Sequence, residues 1–306
     1  MNAGEYRAGG TDVMARQLIG RANGPYLDLH AMPELRGVQW LPDGSARIGA
    51  TTTIAAMAAD PELRTAYPAL TATAAGLATP QVRAAGTLGG NLLQRNRCWY
   101  YRNPRFDCFQ TGGDSCPARA GAHLYSAVID LGPCVAPHPS SMAIALLAYG
   151  AHAVIRGRAG ALLVADLYGD GADPTRDHLL DPGELLEAVT LPAPVPGERA
   201  AYHRAIGRAE AEWPLVEAVA RLTLDSARIL TAAVAVGGVA RIPLRLPEVE
   251  AALVGKDATP GTLRAAAEAA IRRCAPLPQT GYKVALLRDT ILEVLERAVG
   301  LRPDTS

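Results

Sequence analysis

The chain has 306 residues, of which 49% are hydrophobic and 20% are charged. These proportions are typical of a globular protein and exclude the disordered, collagen-like and disulfide-scaffold classes. The 30 basic residues balance the 30 acidic residues, so the chain has no overall positive field with which to hold nucleic acid or an anionic membrane.

The pattern of the sequence predicts neither a membrane span nor a signal peptide. The longest nearly apolar stretch, 142–155, is shorter than the roughly 18–20 residues that a span needs. The N-terminus lacks a charged start followed by an apolar stretch. We therefore expect a cytoplasmic protein, although the export signal of a partner could carry it across a membrane.

Turns and short elements are predicted at the start of the chain: a glycine turn at 7–12 and strands at 26–30 and 47–52. Asp60 and Pro61 are a suitable N-cap and first-turn pair. They predict one alanine-rich helix that continues to about Leu77. A second glycine turn follows at Thr87–Asn91, directly before a segment that is rich in cysteine.

The middle of the chain predicts a helix and a hairpin. The segment 139–149 is apolar and helical in pattern, with Ser140 as its N-cap. Two β-type runs, 151–156 and 161–168, flank a turn with glycine at both ends and predict a hairpin. The polar segment 169–182 is predicted to be a surface loop.

The segment 192–197 (PAPVPG) is the best linker in the chain, and we place a domain boundary there. Strands are then predicted at 200–204, 216–224 and 228–237, and helices at 247–254, 261–274 and 283–299. The last helix carries one apolar stripe that is typical of core packing, formed by Val284, Leu287, Ile291, Leu295 and Val299.

The two glycine turns have a composition that suits a ligand. AGGTD at Ala8–Asp12 and TLGGN at Thr87–Asn91 each place two glycines beside small hydroxyl, amide or carboxylate side chains. Glycine lets the backbone approach a ligand, and consecutive N–H groups can cradle a pyrophosphate. Neither turn matches a Rossmann or P-loop pattern. A plain tight turn therefore remains the alternative for each of them.

Four of the five cysteines, Cys98, Cys108, Cys116 and Cys134, lie in one short window. In a cytoplasmic protein such clustering suggests metal or redox chemistry. The spacing alone leaves an iron–sulfur cluster, a zinc ion and unrelated buried thiols open, although zinc ribbons usually have C-x₂-C knuckles that this window lacks. Cys274 is remote, and we expect it to be a buried structural thiol within a helix.

Cationic and aromatic side chains are concentrated in the same window: Arg95, Arg97, Arg102 and Arg105, with Trp99, Tyr100, Tyr101, Phe106 and Phe109. The arginines could raise the potential of a cluster, dock a partner, or lie on a solvated face. The aromatic side chains are expected to shield a cluster or to cover a subunit contact. His138 could donate to a cluster sulfur or simply form part of a turn.

Several short segments of this sequence resemble those of the FAD-binding subunits of molybdenum hydroxylases. They are the two glycine turns, IGA at 48–50, GELLEAVTLP at 183–192, RAIGR at 204–208 and AVGGV at 235–239. This family includes the flavin subunits of carbon monoxide dehydrogenase and 4-hydroxybenzoyl-CoA reductase and the flavin domain of xanthine dehydrogenase. The cysteine window resembles the iron–sulfur loop of the FAD and iron–sulfur subunits of bacterial molybdenum-dependent aldehyde oxidoreductases.

The resemblance implies an α+β protein with two domains. Residues 1–192 would form a two-part FAD-binding fold of the PCMH type, with an iron–sulfur loop at about 95–138. Residues 198–306 would form a small sheet with helices, as in the C-terminal domain of CO dehydrogenase flavoproteins. The segment before the first turn is shorter than is usual in the family, so either the start of the sequence is misassigned or the fold begins differently here.

The resemblance also implies the cofactors and their ligands. FAD would contact Gly9, Gly10, Thr11 and Asp12 in the first turn, Thr87, Gly89, Gly90 and Asn91 in the second, and Ser141 and Arg204 beside the flavin. Asp12 would support its turn or bond a ribose hydroxyl. The family often has Asp at 141 and Lys at 204, so these two flavin contacts differ in chemistry here. One [4Fe–4S] cluster would be held by Cys98, Cys108, Cys116 and Cys134.

The implied function is that of an oxidoreductase subunit that transfers electrons. A molybdenum cofactor-binding large subunit would oxidise an aldehyde or an N-heterocycle, and a small [2Fe–2S] subunit would pass electrons to the FAD. The FAD would then reduce a small-molecule or protein acceptor, with no catalytic residue needed on this chain. Two alternatives stay open: a stand-alone flavoenzyme with its own small substrate, and a metal-bearing scaffold that has lost FAD.

Overall fold

The computed structural model describes residues 4–209 and 211–302, so the outermost ends of the two predicted domains lie outside the described residues. The strands are β1 (Glu5–Arg7), β2 (Tyr26–Asp28), β3 (Val38–Trp40), β4 (Ala46–Gly49), β5 (His152–Ile155), β6 (Leu162–Leu163), β7 (Leu186–Leu191), β8 (Arg199–Ala205), β9 (Val216–Asp225), β10 (Arg228–Gly237) and β11 (Leu244–Arg245). The helices are α1 (Val13–Gln17), α2 (Ile54–Ala59), α3 (Pro61–Ala66), α4 (Pro68–Gly76), α5 (Pro80–Ala85), α6 (Leu88–Leu92), α7 (Pro117–Ala120), α8 (Ser141–Ala148), α9 (Pro247–Leu253), α10 (Pro260–Ala270) and α11 (Tyr282–Ala298).

The strands form three sheets. β1 and β2 are parallel and stand apart as a pair. β3, β4, β7, β5 and β6 form a five-stranded antiparallel sheet in that order, and β11, β10, β9 and β8 form a four-stranded antiparallel sheet. Only β1 and β2 are parallel strands joined through a helix, and the two larger sheets are antiparallel with helices packed on them, which confirms the predicted α+β class.

Two large hydrophobic clusters form the core. The first joins the five-stranded sheet to α2, α4 and α8. The second lies between the four-stranded sheet and helices α9, α10 and α11. In α11, Leu287, Ile291 and Leu295 are fully buried, as the apolar stripe predicts, while Val284 and Val299 are partly buried at its ends.

Helix α8 connects the two cores because all eight of its residues are buried. It packs against α4 on one side and against β9 and β10 on the other. Its N-cap is the predicted one, since the Ser140 hydroxyl accepts a hydrogen bond from the Ala143 N–H. A short apolar segment that is buried on every side needs no amphipathic pattern.

The single helix predicted from Asp60 to Leu77 is wrong. Asp60 does begin a helix, because its carboxylate accepts from the N–H groups of Glu62 and Leu63. The helix ends at Ala66, and α4 begins at Pro68. Proline has no N–H to donate and restricts the residue before it, so Pro68 can begin a helix but does not continue one.

Four smaller predictions also need correction. Residues 164–167 form a 3-10 helix, so β6 is shorter than the predicted strand. Cys274 follows a 3-10 helix rather than lying within a helix, although it is partly buried against the second core. The loop 169–182 is not wholly at the surface, because Asp177 is buried. Thr87–Asn91 is not a tight turn: Thr87 caps α6, and its hydroxyl accepts from the Gly90 N–H.

No helix in the described ranges combines the length and the hydropathy that crossing a membrane requires.

Candidate functional site

The two glycine segments, Ala8–Asp12 and Thr87–Asn91, pack where side chains would not fit. A Cβ on Gly9 would lie 1.8 Å from the Ala85 carbonyl oxygen at the end of α5. A Cβ on Gly89 would lie 3.0 Å from the Cβ of Ala50. Gly10 has a φ of +74°, a conformation that residues with a side chain rarely adopt. These positions therefore require glycine for close packing and for the backbone path.

Two adjoining cavities meet at these segments. A large cavity of about 600 Å³ is lined by Gly9, Gly10, Thr11, Asp12, Thr87, Gly89 and Gly90. A small cavity of about 220 Å³ is lined by Thr11, Asp12, Thr87, Gly90, Asn91, Ser141 and Arg204. All ten residues predicted to contact FAD therefore line one or both cavities, and four of them line both.

The shape and chemistry of this region fit FAD. A Cβ on Gly90 would meet only the Thr87 hydroxyl, at 3.1 Å, so this glycine faces open space between the cavities. We call the four predicted residues that line both cavities, Thr11, Asp12, Thr87 and Gly90, the waist. The missing side chain at Gly90 lets a pyrophosphate approach the backbone there. The cavities on either side provide separate space for the two ends of a dinucleotide.

Asp12 ties the first glycine segment to the cysteine loop, which we define as residues 95–138. One carboxylate oxygen lies 2.7 Å from the Arg97 guanidinium and 2.8 Å from that of Arg102. The other lies 2.9 Å from the Arg16 guanidinium and accepts from the Arg95 N–H. Burial raises the pKa of Asp12, but the three guanidinium groups outweigh it and hold the pKa below its usual value. Asp12 thus links the first glycine segment to α1 and to the cysteine loop.

Asn91, Ser141 and Arg204 line the small cavity from three elements. The Asn91 side-chain oxygen accepts from the Ser140 hydroxyl at 2.7 Å, which joins α6 to the start of α8. Arg204 on β8 donates to the carbonyl oxygen of Gly76 and, at 3.4 Å, to that of Glu212. Its guanidinium is therefore held at the cavity wall by backbone acceptors.

Glu217 is a buried acid beside this site that the sequence analysis missed. It lies on β9, and its carboxylate accepts from the Tyr202 hydroxyl at 2.8 Å. Burial raises the pKa of Glu217 to about 7, against the opposing effects of Ser141, Tyr202 and Arg204. The available signal was an acid within the apolar first half of the strand, VEAVA.

The four clustered cysteines meet in the structure. Cys98, Cys108, Cys116 and Cys134 all line one small cavity, the cysteine cavity, whereas Cys274 lies apart on the second core. Burial raises the pKa of Cys98, and the neighbouring Cys134 thiol lowers the pKa of Cys116 to about 5. In the described part of the chain, no group of three or more His, Cys, Asp or Glu side chains is placed to hold a metal ion.

Three of the four arginines near the cysteines form ion pairs, so they do not lie free on a solvated face. Arg97 and Arg102 pair with Asp12, and Arg95 pairs with the buried Asp177 at 2.7 Å. Arg105, by contrast, is exposed. The cationic charge near the thiols is therefore fixed in place by buried or half-buried carboxylates.

The aromatic side chains of the cysteine loop differ in exposure. Tyr101 is buried, and Tyr100 packs edge-to-face on Phe106 with ring centroids 4.8 Å apart. Phe109 lines the cysteine cavity, whereas Trp99 is exposed. The loop thus contains small aromatic contacts of its own.

His138 is the last residue of the cysteine loop, and its side chain is buried. Its Nδ1 accepts from the Ser140 N–H at 3.2 Å, and its ring packs edge-to-face on Tyr168 at a centroid distance of 4.5 Å. Its Nε2 has no hydrogen-bond partner within residues 4–209 and 211–302.

Family comparisons cover nearly the whole chain. Residues 4–194 match the family described as the FAD binding domain in molybdopterin dehydrogenase. Residues 200–300 match the CO dehydrogenase flavoprotein C-terminal domain.

Individual relatives are similar over most of their length. The aldehyde oxidoreductase FAD-binding subunit PaoB of Escherichia coli (strain K12) is 33% identical over 262 residues, which is 83% of this chain and 79% of the relative. The carbon monoxide dehydrogenase medium chain of Hydrogenophaga pseudoflava is 26% identical over 298 residues, 95% of this chain and 88% of the relative.

Solved structures share the fold at lower identity. Carbon monoxide dehydrogenase from Hydrogenophaga pseudoflava has a TM-score of 0.74 at 24% identity, covering 96% of this chain and 89% of that chain. Quinoline 2-oxidoreductase from Pseudomonas putida 86 has a TM-score of 0.73 at 22% identity, covering 96% and 88%.

Proposed function

The chain belongs to the family of FAD-binding subunits of molybdenum hydroxylases, and we propose that it binds FAD between its two glycine segments and passes electrons through it to an external acceptor. One observation carries this proposal: all ten residues expected to contact FAD line two cavities that adjoin at a waist where Gly90 leaves open space. FAD supplies the redox chemistry, and the chain binds and orients it.

Each part of the site has a proposed role. Backbone N–H groups of Gly9 and Gly10 bind the pyrophosphate, which passes Gly90 at the waist. The large cavity takes the adenosine end, and the small cavity takes the flavin ring beside Ser141 and Arg204. The small cavity is the better flavin site because it contains Ser141 and Arg204, at the two positions that the resemblance places next to the flavin.

We propose that the cysteine cavity holds one [4Fe–4S] cluster. Support comes from the four thiols, which come from distant positions in the loop and line one small cavity. The cluster would draw them to ligating distance, since no three of them are so placed in the described residues. Thiolates are the ligands that such clusters require. Aromatic and apolar side chains complete the wall, and solvent exposure is one determinant of a cluster's potential.

The proposed setting is a molybdenum hydroxylase complex that oxidises an aldehyde or an N-heterocycle. A large subunit with the molybdenum cofactor and a small [2Fe–2S] subunit would deliver the electrons. The similarity to the FAD-binding subunit of an aldehyde oxidoreductase supports this assignment. We also propose that the domain boundary lies in the exposed segment at 192–197, between the two matched families.

The test of FAD binding is a Gly90→Val substitution, which places a side chain in the waist. Because the new Cβ would meet only the Thr87 hydroxyl, the protein should fold while the pyrophosphate is blocked. We expect the purified wild-type chain to carry about one FAD and the variant less than roughly a tenth as much. Released flavin is measured by absorbance.

Gly261→Val is the matched control, because Gly261 lies exposed in the first turn of α10. It should retain FAD at the wild-type level. Full FAD occupancy in the Gly90 variant would contradict the assignment of the waist, and a wild-type chain that binds no FAD would leave only the scaffold alternative.

A further inference from the structure

A third cavity, of about 540 Å³, lies between the cysteine loop and the start of α11. It shares Arg97, Glu212 and Trp213 with the small cavity proposed for the flavin ring. It also shares Cys98 with the cysteine cavity. A molecule bound here would therefore lie beside both proposed redox centres. We call this space the aromatic cavity.

The walls of the aromatic cavity suit a flat apolar molecule. Trp99 packs edge-to-face on Tyr125, with ring centroids 5.1 Å apart. The Trp213 ring carries the Arg97 guanidinium 4.5 Å from its centroid. Cavities of several hundred cubic ångströms with mainly apolar walls and a few polar groups are typical of small-molecule sites, and aromatic walls favour planar ligands.

Lys283 is a buried basic residue in the wall of this cavity. The chain has only two lysines among its 30 basic residues, and Lys283 is 1% exposed. Its Nζ donates to the carbonyl oxygens of Gly238 at 2.8 Å and Tyr125 at 3.2 Å. An ammonium group has three donors, so one is left for a ligand. Burial lowers the pKa of Lys283 to about 7.

His138 supplies a second donor in the wall of the same cavity. Because its Nδ1 accepts the Ser140 N–H, the neutral ring carries its hydrogen on Nε2. His138 is 3% exposed, and its Nε2 has no partner among the residues that the structure describes. Leaving a buried donor unpaired is unfavourable, so an acceptor atom of a ligand would stabilise this arrangement.

We propose that the aromatic cavity binds a quinone, whose flat ring packs on the aromatic side chains and whose carbonyl oxygens accept hydrogen bonds from His138 and Lys283. The inference rests on the proposed function and names the class of its electron acceptor. The quinone gains two electrons and two protons and becomes a quinol, while the reduced flavin loses two electrons and two protons. The cavity wall also contains the buried side chains of Glu217, which accepts from the Tyr202 hydroxyl, and of His123, whose two ring nitrogens are already hydrogen-bonded. The donors of His138 and Lys283 are therefore the groups that match the two carbonyl oxygens of a quinone.

Binding is tested with duroquinone, whose fully substituted ring does not add to thiols or amines. The full chain is titrated, and quenching of tryptophan fluorescence is followed, since two of its three tryptophans line the cavity. We compare wild type with Lys283→Met and His138→Phe. Each substitution removes one hydrogen-bond donor and puts an apolar side chain of similar size in its place. Lys256→Met, at the exposed second lysine, is the matched control.

We expect saturable binding to wild type and to Lys256→Met, and binding at least roughly tenfold weaker in the other two variants. Tetramethylbenzene, which lacks the carbonyls, should bind all four proteins alike. Absent binding to wild type, or equal binding to all variants, would overturn the proposal. Tighter binding of benzoate than of duroquinone would also overturn it, in favour of an aromatic carboxylate. FAD content of the same samples tests the proposed function separately.

Discussion

Glu217 shows how one buried group links the site to the stability of the fold. Its carboxyl group is fully buried, with the Tyr202 hydroxyl as its hydrogen-bond donor. Burial favours the neutral acid, so the folded protein holds this proton to about pH 7. An unfolded chain would release it near the ordinary pKa of 4.5. The folded state thus binds more protons than the unfolded state between these two values.

Glu217→Gln should remove this pH dependence. The raised pKa stabilises the folded protein below about pH 4.5, and this contribution is lost as the pH rises towards 7, because deprotonation is easier in the unfolded chain. Glutamine keeps the acceptor for Tyr202 and does not titrate. The free energy of unfolding of the variant, relative to wild type, should rise by about 3 kcal/mol between pH 4.5 and 7.

Urea unfolding at several pH values measures this difference. Glu268→Gln, at an exposed glutamate in α10, is the control and should give a nearly constant difference from wild type. A constant difference for the Glu217 variant as well would show that its carboxyl titrates at an ordinary pKa.

At the scale of elements, the cysteine loop is anchored by ion pairs in which its thiols take no part. Arg97 and Arg102 reach Asp12 in the first glycine segment, and Arg95 reaches Asp177 in the loop after β6. These contacts position the loop without any contribution from a bound cluster. Loss of one thiol should therefore affect the cluster much more than the flavin site.

Cys108→Ser tests this separation. We expect the iron of the proposed cluster to be lost from the anaerobically purified chain, because four thiolates are needed to hold a cube. FAD content should fall by less than about half. Cys274→Ser is the matched control, since Cys274 lies apart on the second core. Iron and flavin counts per chain provide the measurement, and unchanged iron in the Cys108 variant would contradict the ligand assignment.

Elements defined by local signals were predicted from the sequence, whereas elements defined by distant partners were not. Ser140 as the cap of α8 and the apolar stripe of α11 are local features. Strand β7 was missed because it is recognised by its pairing with β4 and β5, which lie more than thirty residues away along the chain. The break at Pro68 was readable, but the alanine-rich pattern on both sides outweighed it.

The candidate site divides in the same way. The glycine segments are short and contiguous, so their residues could be assigned from local sequence motifs. Glu217, Lys283 and Trp213 reach the cavities only through the packing of the second core on the first. No local spacing relates them to Cys98 or His138, so only the folded chain brings them together.

At the scale of the whole molecule, Asp177 joins three parts of the chain. Its buried carboxylate faces Arg241 after β10, Arg95 at the start of the cysteine loop and Gln110 within it. Burial raises the pKa of Asp177, but the two guanidinium groups outweigh it and hold the pKa far below its usual value. This junction fixes the position of the cysteine loop relative to both hydrophobic cores.

Asp177→Asn should therefore destabilise the whole molecule. The amide has nearly the same shape but leaves the guanidinium of Arg241, itself 2% exposed, buried without a counter-charge. Removing one partner of a buried ion pair costs about 3–5 kcal/mol. The exposed pair of Arg176 and Asp181 lies in the same loop, and Asp181→Asn should cost less than about 1 kcal/mol. The urea midpoint of unfolding should fall clearly only in the first variant, and equal midpoints would show that the junction contributes no more than a surface ion pair.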